Sequence, residues 1–183
     1  WSKHLKDLKI NFELIVYNDG SNDNTLEKLN GIKENHKELK IVDKENTGHG
    51  PTILKGYLEA NSKWIFQMDS DNEIKVNDFD KLWLIREDYD FIVGIRSNRL
   101  SPLPRRIITF FSKMTIRLFY RSKISDSNCP FRLFRNDKFR SVFEKIPDDT
   151  FAPNVILSGM ASYMNLNIKE VEVRFYPRET GEV

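Results

Sequence analysis

The sequence predicts an α/β protein, a mostly parallel sheet with helices on both faces. Three observations carry this expectation. Compact apolar runs alternate with stretches of helical periodicity through the first half of the chain. Gly, Pro, Asn or Asp marks the junctions between them. Carboxylates gather at the ends of the apolar runs, where sheets of this kind bind ligands.

The elements follow in order. Residues 2–8 read as the end of a helix with Leu5 and Leu8 on one side. Residues 12–17 (Phe-Glu-Leu-Ile-Val-Tyr) form a strand, and Asn18-Asp19-Gly20-Ser21 a turn. Ser21 or Asp23 can cap the next helix, which runs to about Asn35. A short strand spans 39–42, and a glycine-punctuated turn spans 46–50. Pro51 then suits a helical first turn, ahead of Ile53, Leu54, Tyr57 and Leu58 at helical spacing. A strand over 64–68 ends in Asp69-Ser70-Asp71; a helix over 78–86 and a strand over 90–94 follow. The second half predicts a long helix over 104–120, whose apolar stripe includes Ile107, Phe111, Met114 and Phe119. A strand over 131–134, helices over 137–143 and 154–164, and a strand over 168–176 complete the chain.

Composition narrows the function classes. The 183 residues suit one α/β domain with a real core. Cys129 is the single cysteine, which excludes an internal disulfide scaffold. An aromatic share of 12% argues against disorder, and a mean hydropathy of −0.53 predicts a soluble chain. No apolar run approaches the roughly 20 residues of a membrane-spanning helix. The opening Trp1-Ser2-Lys3-His4 shows no signal segment, so a cytoplasmic location is expected. A net charge of +2 argues against bulk electrostatic binding of nucleic acid. There is no P-loop, dinucleotide fingerprint or nucleophile elbow.

Four constellations carry candidate chemistry. Asp69 and Asp71, one residue apart at a strand end, can share a hard divalent cation such as Mg²⁺ or Mn²⁺. Alone, the pattern is more often a solvated turn. His4, His36 and His49 have no zinc-ligand spacing. Asp19, at another strand end, can accept hydrogen bonds from a base or a ribose, or simply belong to a turn. These three carboxylates are expected to converge on one crevice. Between Ile95 and Asp126 every charged residue is basic, Arg96, Arg99 and Arg117 among them. With the apolar stripe this suits an anionic membrane surface, a phosphate, or an ordinary helix with a basic outer face. Arg178 can reach a diphosphate, or be a solvated arginine.

Taken together, these segments resemble family 2 glycosyltransferases of the GT-A fold. The resemblance rests on Tyr17-Asn18-Asp19-Gly20-Ser21, Asn46-Thr47-Gly48-His49-Gly50, Met68-Asp69-Ser70-Asp71 and the strand from Asp90 to Arg96. It extends to Asp126-Ser127-Asn128-Cys129-Pro130-Phe131-Arg132 and Arg178-Glu179-Thr180-Gly181, which are similar to the dolichol-phosphate mannosyltransferase-like branch. The resemblance implies a single GT-A domain over 1–183, incomplete at both ends and lacking the family's first strand. It implies an inverting, metal-dependent transfer of a sugar from a UDP- or GDP-linked donor to a polyprenyl (dolichyl or undecaprenyl) phosphate. Asp69 and Asp71 would hold Mg²⁺ or Mn²⁺, Asp71 serving catalysis as well. Asp126 would position the acceptor or act as base. Asp19, Gly20, Ser21, Gly48, Gly50, Arg96, Arg99, Arg117, Arg132 and Arg178 would bind substrate. Segments beyond this chain would bring it to the cytoplasmic face of a membrane. The alternatives are a family 2 enzyme acting on a glycan or small acceptor, and a non-catalytic module that binds a nucleotide sugar or a partner.

Overall fold

The computed structural model describes residues 1–97, 114, 119, 120 and 124–176. The chain forms two compact units, Trp1–Glu59 with Ile146–Phe151, and Ala60–Lys145 with Ala152–Val183.

The first unit contains α1 (Ser2–Asp7), β1 (Leu14–Asp19), α2 (Thr25–Lys33), β2 (Leu39–Lys44) and α3 (His49–Glu59). β1 and β2 are parallel, in register from Leu14 opposite Leu39 to Asp19 opposite Lys44. Parallel strands need a crossover rather than a tight hairpin, and α2 supplies it. Asp23, not Ser21, prepares that helix: its Oδ1 accepts the Thr25 amide at 3.0 Å. α3 buries Leu54 and Tyr57 on the expected face. Leu5 of α1 is buried, but Leu8, expected beside it, is 38% exposed. The helix has already ended at Asp7, and Lys9 (φ 56°) closes it by donating to the Lys6 carbonyl. Ser2, Lys6 and His36 converge on the Glu38 carboxylate, tying α1 to the start of β2.

The second unit contains β3 (Trp64–Gln67), α4 (Phe79–Leu84), β4 (Phe91–Ser97), β5 (Arg132–Arg135), α5 (Asn136–Phe143), α6 (Pro153–Tyr163) and β6 (Ile168–Arg174). Short 3-10 turns, Val76–Asp78 and Arg86–Asp88, flank α4. The strand order is β3-β5-β4-β6. β5 is antiparallel to both neighbours, whereas β4 and β6 are parallel. Thus β3, β4 and β6 share one direction and β5 alone is reversed. Phe91, Ile92 and Val93 are each 0% exposed. Successive strand residues point to opposite faces, so both faces of β4 are covered. Phe139 of α5 packs on Phe134 and Phe91, with ring centroids 5.3 and 5.6 Å away. Phe131 and Phe79 pack edge-on to Phe66 of β3.

The helix expected over 104–120 lies outside the described residues except for Met114, Phe119 and Tyr120, which are helical. Met114 and Phe119, expected in an apolar stripe, are exposed. Tyr120 lies against Gly159 of α6, where a Cβ would come within 2.7 Å of its ring.

Candidate active site

Asp69-Ser70-Asp71 follows the carboxyl end of β3. Asp69, Asp71 and Glu73 line one cleft together with Ile74, Arg96 and Phe131. Asp71 Oδ1 accepts the Glu73 amide at 3.2 Å across Asn72, whose φ is 60°. The loop thereby folds over its own carboxylate. Gln67 Nε2 donates to Asp69 Oδ1 at 3.4 Å.

Arg96, near the end of β4, brings a cation to this cleft. It donates to Asp126 through Nε at 2.7 Å and Nη2 at 2.9 Å. The side chains of Arg96 and Asp126 are 10% and 22% exposed. Two parallel charge-assisted bonds fix the plane of the guanidinium. Burial alone would lower the Arg96 pKa, but Asp126 outweighs it and holds the guanidinium more firmly charged. Asp126 is therefore placed as the counter-ion of Arg96.

Arg132 corrects the sequence reading. It is 0% exposed, and its donors serve the interior rather than a ligand. Nε donates to the Cys129 carbonyl at 3.0 Å, Nη1 to the Asn154 carbonyl at 2.8 Å, and Nη2 to the Ser127 carbonyl at 3.2 Å. It braces the 127–131 loop against α6. Only its charge is visible in sequence; its burial follows from the 127–131 loop and α6 closing over it.

In the first unit Asp19 ends β1 and organises the 46–50 loop. Its Oδ1 accepts the Thr47 amide at 2.9 Å and its Oδ2 the Gly48 amide at 3.0 Å. Lys44, directly opposite on β2, binds Asp19 Oδ1 and also donates to Thr47 Oγ1 and Thr52 Oγ1. Burial alone would raise the Asp19 carboxyl. The Lys44 ammonium, the Thr47 amide and the Thr52 hydroxyl outweigh it and hold Asp19 below the usual carboxylate range. Gly20 lets the β1 turn approach this loop, since a Cβ would lie 2.7 Å from the Asn46 nitrogen. Gly50 passes the Thr150 carbonyl, which would sit 2.0 Å from a Cβ. Ser21 is exposed.

Two residues escaped the sequence reading. Glu73 continues the alternation of Asp69 and Asp71, a legible signal. Lys44 became visible only when β1 and β2 were aligned. Arg99, Arg117 and Arg178 lie outside the described residues.

Residues 3–143 match the description of glycosyl transferase family 2. The chain belongs to that family. A dolichyl-phosphate beta-glucosyltransferase of Dictyostelium discoideum is 26% identical, over 94% of this chain and 58% of its own length. An undecaprenyl-phosphate 4-deoxy-4-formamido-L-arabinose transferase of Proteus mirabilis is also 26% identical, over 98% of this chain and 55% of its own. The chain thus spans little more than half the length of these curated relatives. Among solved structures, glucosyl-3-phosphoglycerate synthase from Mycobacterium tuberculosis with Mg²⁺ and uridine diphosphate has a TM-score of 0.61 at 13% identity, over 93% of this chain and 61% of that one. S. aureus TarS 1-349 has a TM-score of 0.58 at 22% identity, over 87% and 48%. The shared architecture is the GT-A α/β fold.

The acidic cleft of this family 2 chain carries oxygen donors of the kind that Mg²⁺ and Mn²⁺ prefer. Among the described residues, no three His, Cys, Asp or Glu side chains could enclose a metal unaided. Mg²⁺ and Mn²⁺ do not require that, because they bind through one or two carboxylates while substrate oxygens and water complete the shell. Asp69 and Asp71 are the pair of hard oxygen donors that the cleft offers. No helix among the described residues is long and apolar enough to cross a membrane.

Proposed function

We propose that this chain is the donor-binding and transfer domain of a polyprenyl-phosphate glycosyltransferase. It moves a sugar from a UDP- or GDP-linked donor to the phosphate of a polyprenyl acceptor, with inversion. The names of the Dictyostelium and Proteus relatives support this acceptor class. One structural observation carries it: Asp126 is engaged bidentately by Arg96 beside the acidic cleft. Asp126, the candidate base, is thus engaged as a counter-ion, which suits a phosphate acceptor that is already an anion and needs no base.

Asp69 and Asp71 would hold Mg²⁺ or Mn²⁺, which would offset the charge growing on the leaving diphosphate. Arg96, its orientation fixed by Asp126, binds phosphate in the same cleft. Asp19 steadies the loop bearing Gly48 and Gly50, so that this loop and the Gly20-Ser21 turn meet the nucleoside. The acceptor phosphate attacks the anomeric carbon opposite the diphosphate, which inverts it. Arg99, Arg117 and Arg178 are assigned to the same phosphates, and a membrane face to the whole protein.

The test is calorimetry of UDP- and GDP-sugars with Mn²⁺, repeated with Asp69→Asn and Asp71→Asn. Binding that ignores both the metal and the substitutions overturns the reading. In the full-length protein, labelled sugar should pass into organic solvent when polyprenyl phosphate is supplied. Transfer only to a water-soluble glycan would move the assignment to the hydroxyl-acceptor alternative.

A further inference from the structure

We infer that the end of β6 latches the acidic loop after β3, and that Tyr176 is a positioning residue for its carboxylates. Three ties join the two segments. The Arg174 amide donates to Asp78 Oδ2 at 3.1 Å. Ile74 pairs with Phe175 in an isolated antiparallel bridge. The Tyr176 amide donates to the Glu73 carbonyl at 2.8 Å. The Tyr176 ring adds side-chain contacts, lying 5.2 Å from Lys75 Nζ and 5.2 Å from the Arg174 guanidinium carbon.

Glu73 is thus held on both sides. Its amide is bound by Asp71 Oδ1 and its carbonyl by Tyr176. A shift of the Glu73 backbone carries the Asp71 carboxylate with it. Asn72 sits in the left-handed region between them, a turn conformation that asparagine tolerates better than other non-glycine residues. Ile74 and Asp78, 6% and 8% exposed, anchor the far side of the loop. Groups that orient a ligating side chain influence metal affinity without touching the metal.

The inference rests on the metal-binding reading above, and its test separates the two. Mn²⁺ affinity is measured in the full chain with UDP present, by the electron paramagnetic resonance of free Mn²⁺. Tyr176→Pro removes the latching amide and should weaken Mn²⁺ about two- to tenfold, the range of one backbone hydrogen bond. Tyr176→Phe keeps both the amide and the ring and should retain wild-type affinity. Equal affinity in Tyr176→Pro overturns the latch. If that variant does not fold, amide exchange in the wild type decides. Coupling is reciprocal, so Mn²⁺ with UDP must slow exchange at the Tyr176 amide. Unchanged exchange overturns the latch while leaving the metal reading intact. A wild type that binds no Mn²⁺ with UDP overturns the metal reading itself, and a Tyr176 amide that exchanges freely in the metal-free protein overturns the latch independently.

Discussion

Replacing Lys44 with methionine keeps most of the side-chain volume and removes one charge. In the wild type Nζ binds Asp19 and donates to the Glu45 carbonyl at 2.9 Å, Thr47 Oγ1 at 2.7 Å and Thr52 Oγ1 at 3.1 Å. The side chains of Lys44 and Asp19 are 12% and 23% exposed. The pair therefore lies between a surface ion pair, worth about 0–1 kcal/mol, and a buried one, whose disruption costs about 3–5 kcal/mol. The Thr47 and Gly48 amides still serve Asp19 in the variant. A loss of about 2 kcal/mol follows, or a urea midpoint about 1 M lower when the amide signals of β1 are followed by NMR. The same experiment can titrate Asp19. Its pKa is depressed below the ordinary 3.8, so the pair stabilises the fold above that pH and the contribution is lost as pH falls through the folded value. In Lys44→Met the largest influence lowering the Asp19 carboxyl is gone, the carboxyl rises, and the acid limb of the stability curve flattens. A midpoint within about 0.2 M of wild type together with an unmoved Asp19 titration refutes the reasoning.

Gly50→Ala drives a Cβ to 2.0 Å from the Thr150 carbonyl and should cost more than about 3 kcal/mol in thermal denaturation. Gly31→Ala, on α2 with nothing within 4 Å, should instead gain about 0.5–1 kcal/mol. Arg132→Met deprives the Cys129, Ser127 and Asn154 carbonyls of a buried donor and should cost at least about 3 kcal/mol of unfolding free energy. Lys6, then Ser2, pull the Glu38 carboxyl from 4.5 down to about 2, so its clasp stabilises the fold above 4.5 and fails as pH falls toward 2. Melting scans across that range should show a flatter acid limb for Glu38→Gln.

Periodicity located most described elements to within a residue or two, because helix and strand repeats are local properties. β1 extends to Asp19 and β2 to Lys44, beyond the apolar runs that announced them. Parallel pairing continues the ladder through polar residues once both strands are present. The candidate carboxylates were legible because they follow apolar runs directly. The partners of Asp126 and Arg132 were not, since both arginines carry the same charge in a sequence yet have opposite surroundings. Arg96 faces the acidic cleft with Asp126 beside it, whereas Arg132 lies beneath the 127–131 loop and α6.

By itself the sequence determined the alternation of elements, the family resemblance and the acidic residues at the strand ends. Each depends on neighbours along the chain. Tertiary structure alone decided the reversal of β5, the Lys44–Asp19 and Arg96–Asp126 pairs, and the hold of Tyr176 on Glu73. Those contacts join residues 25, 30 and 103 positions apart in the last three cases. Their formation depends on which strands lie side by side, a consequence of packing that no local pattern encodes.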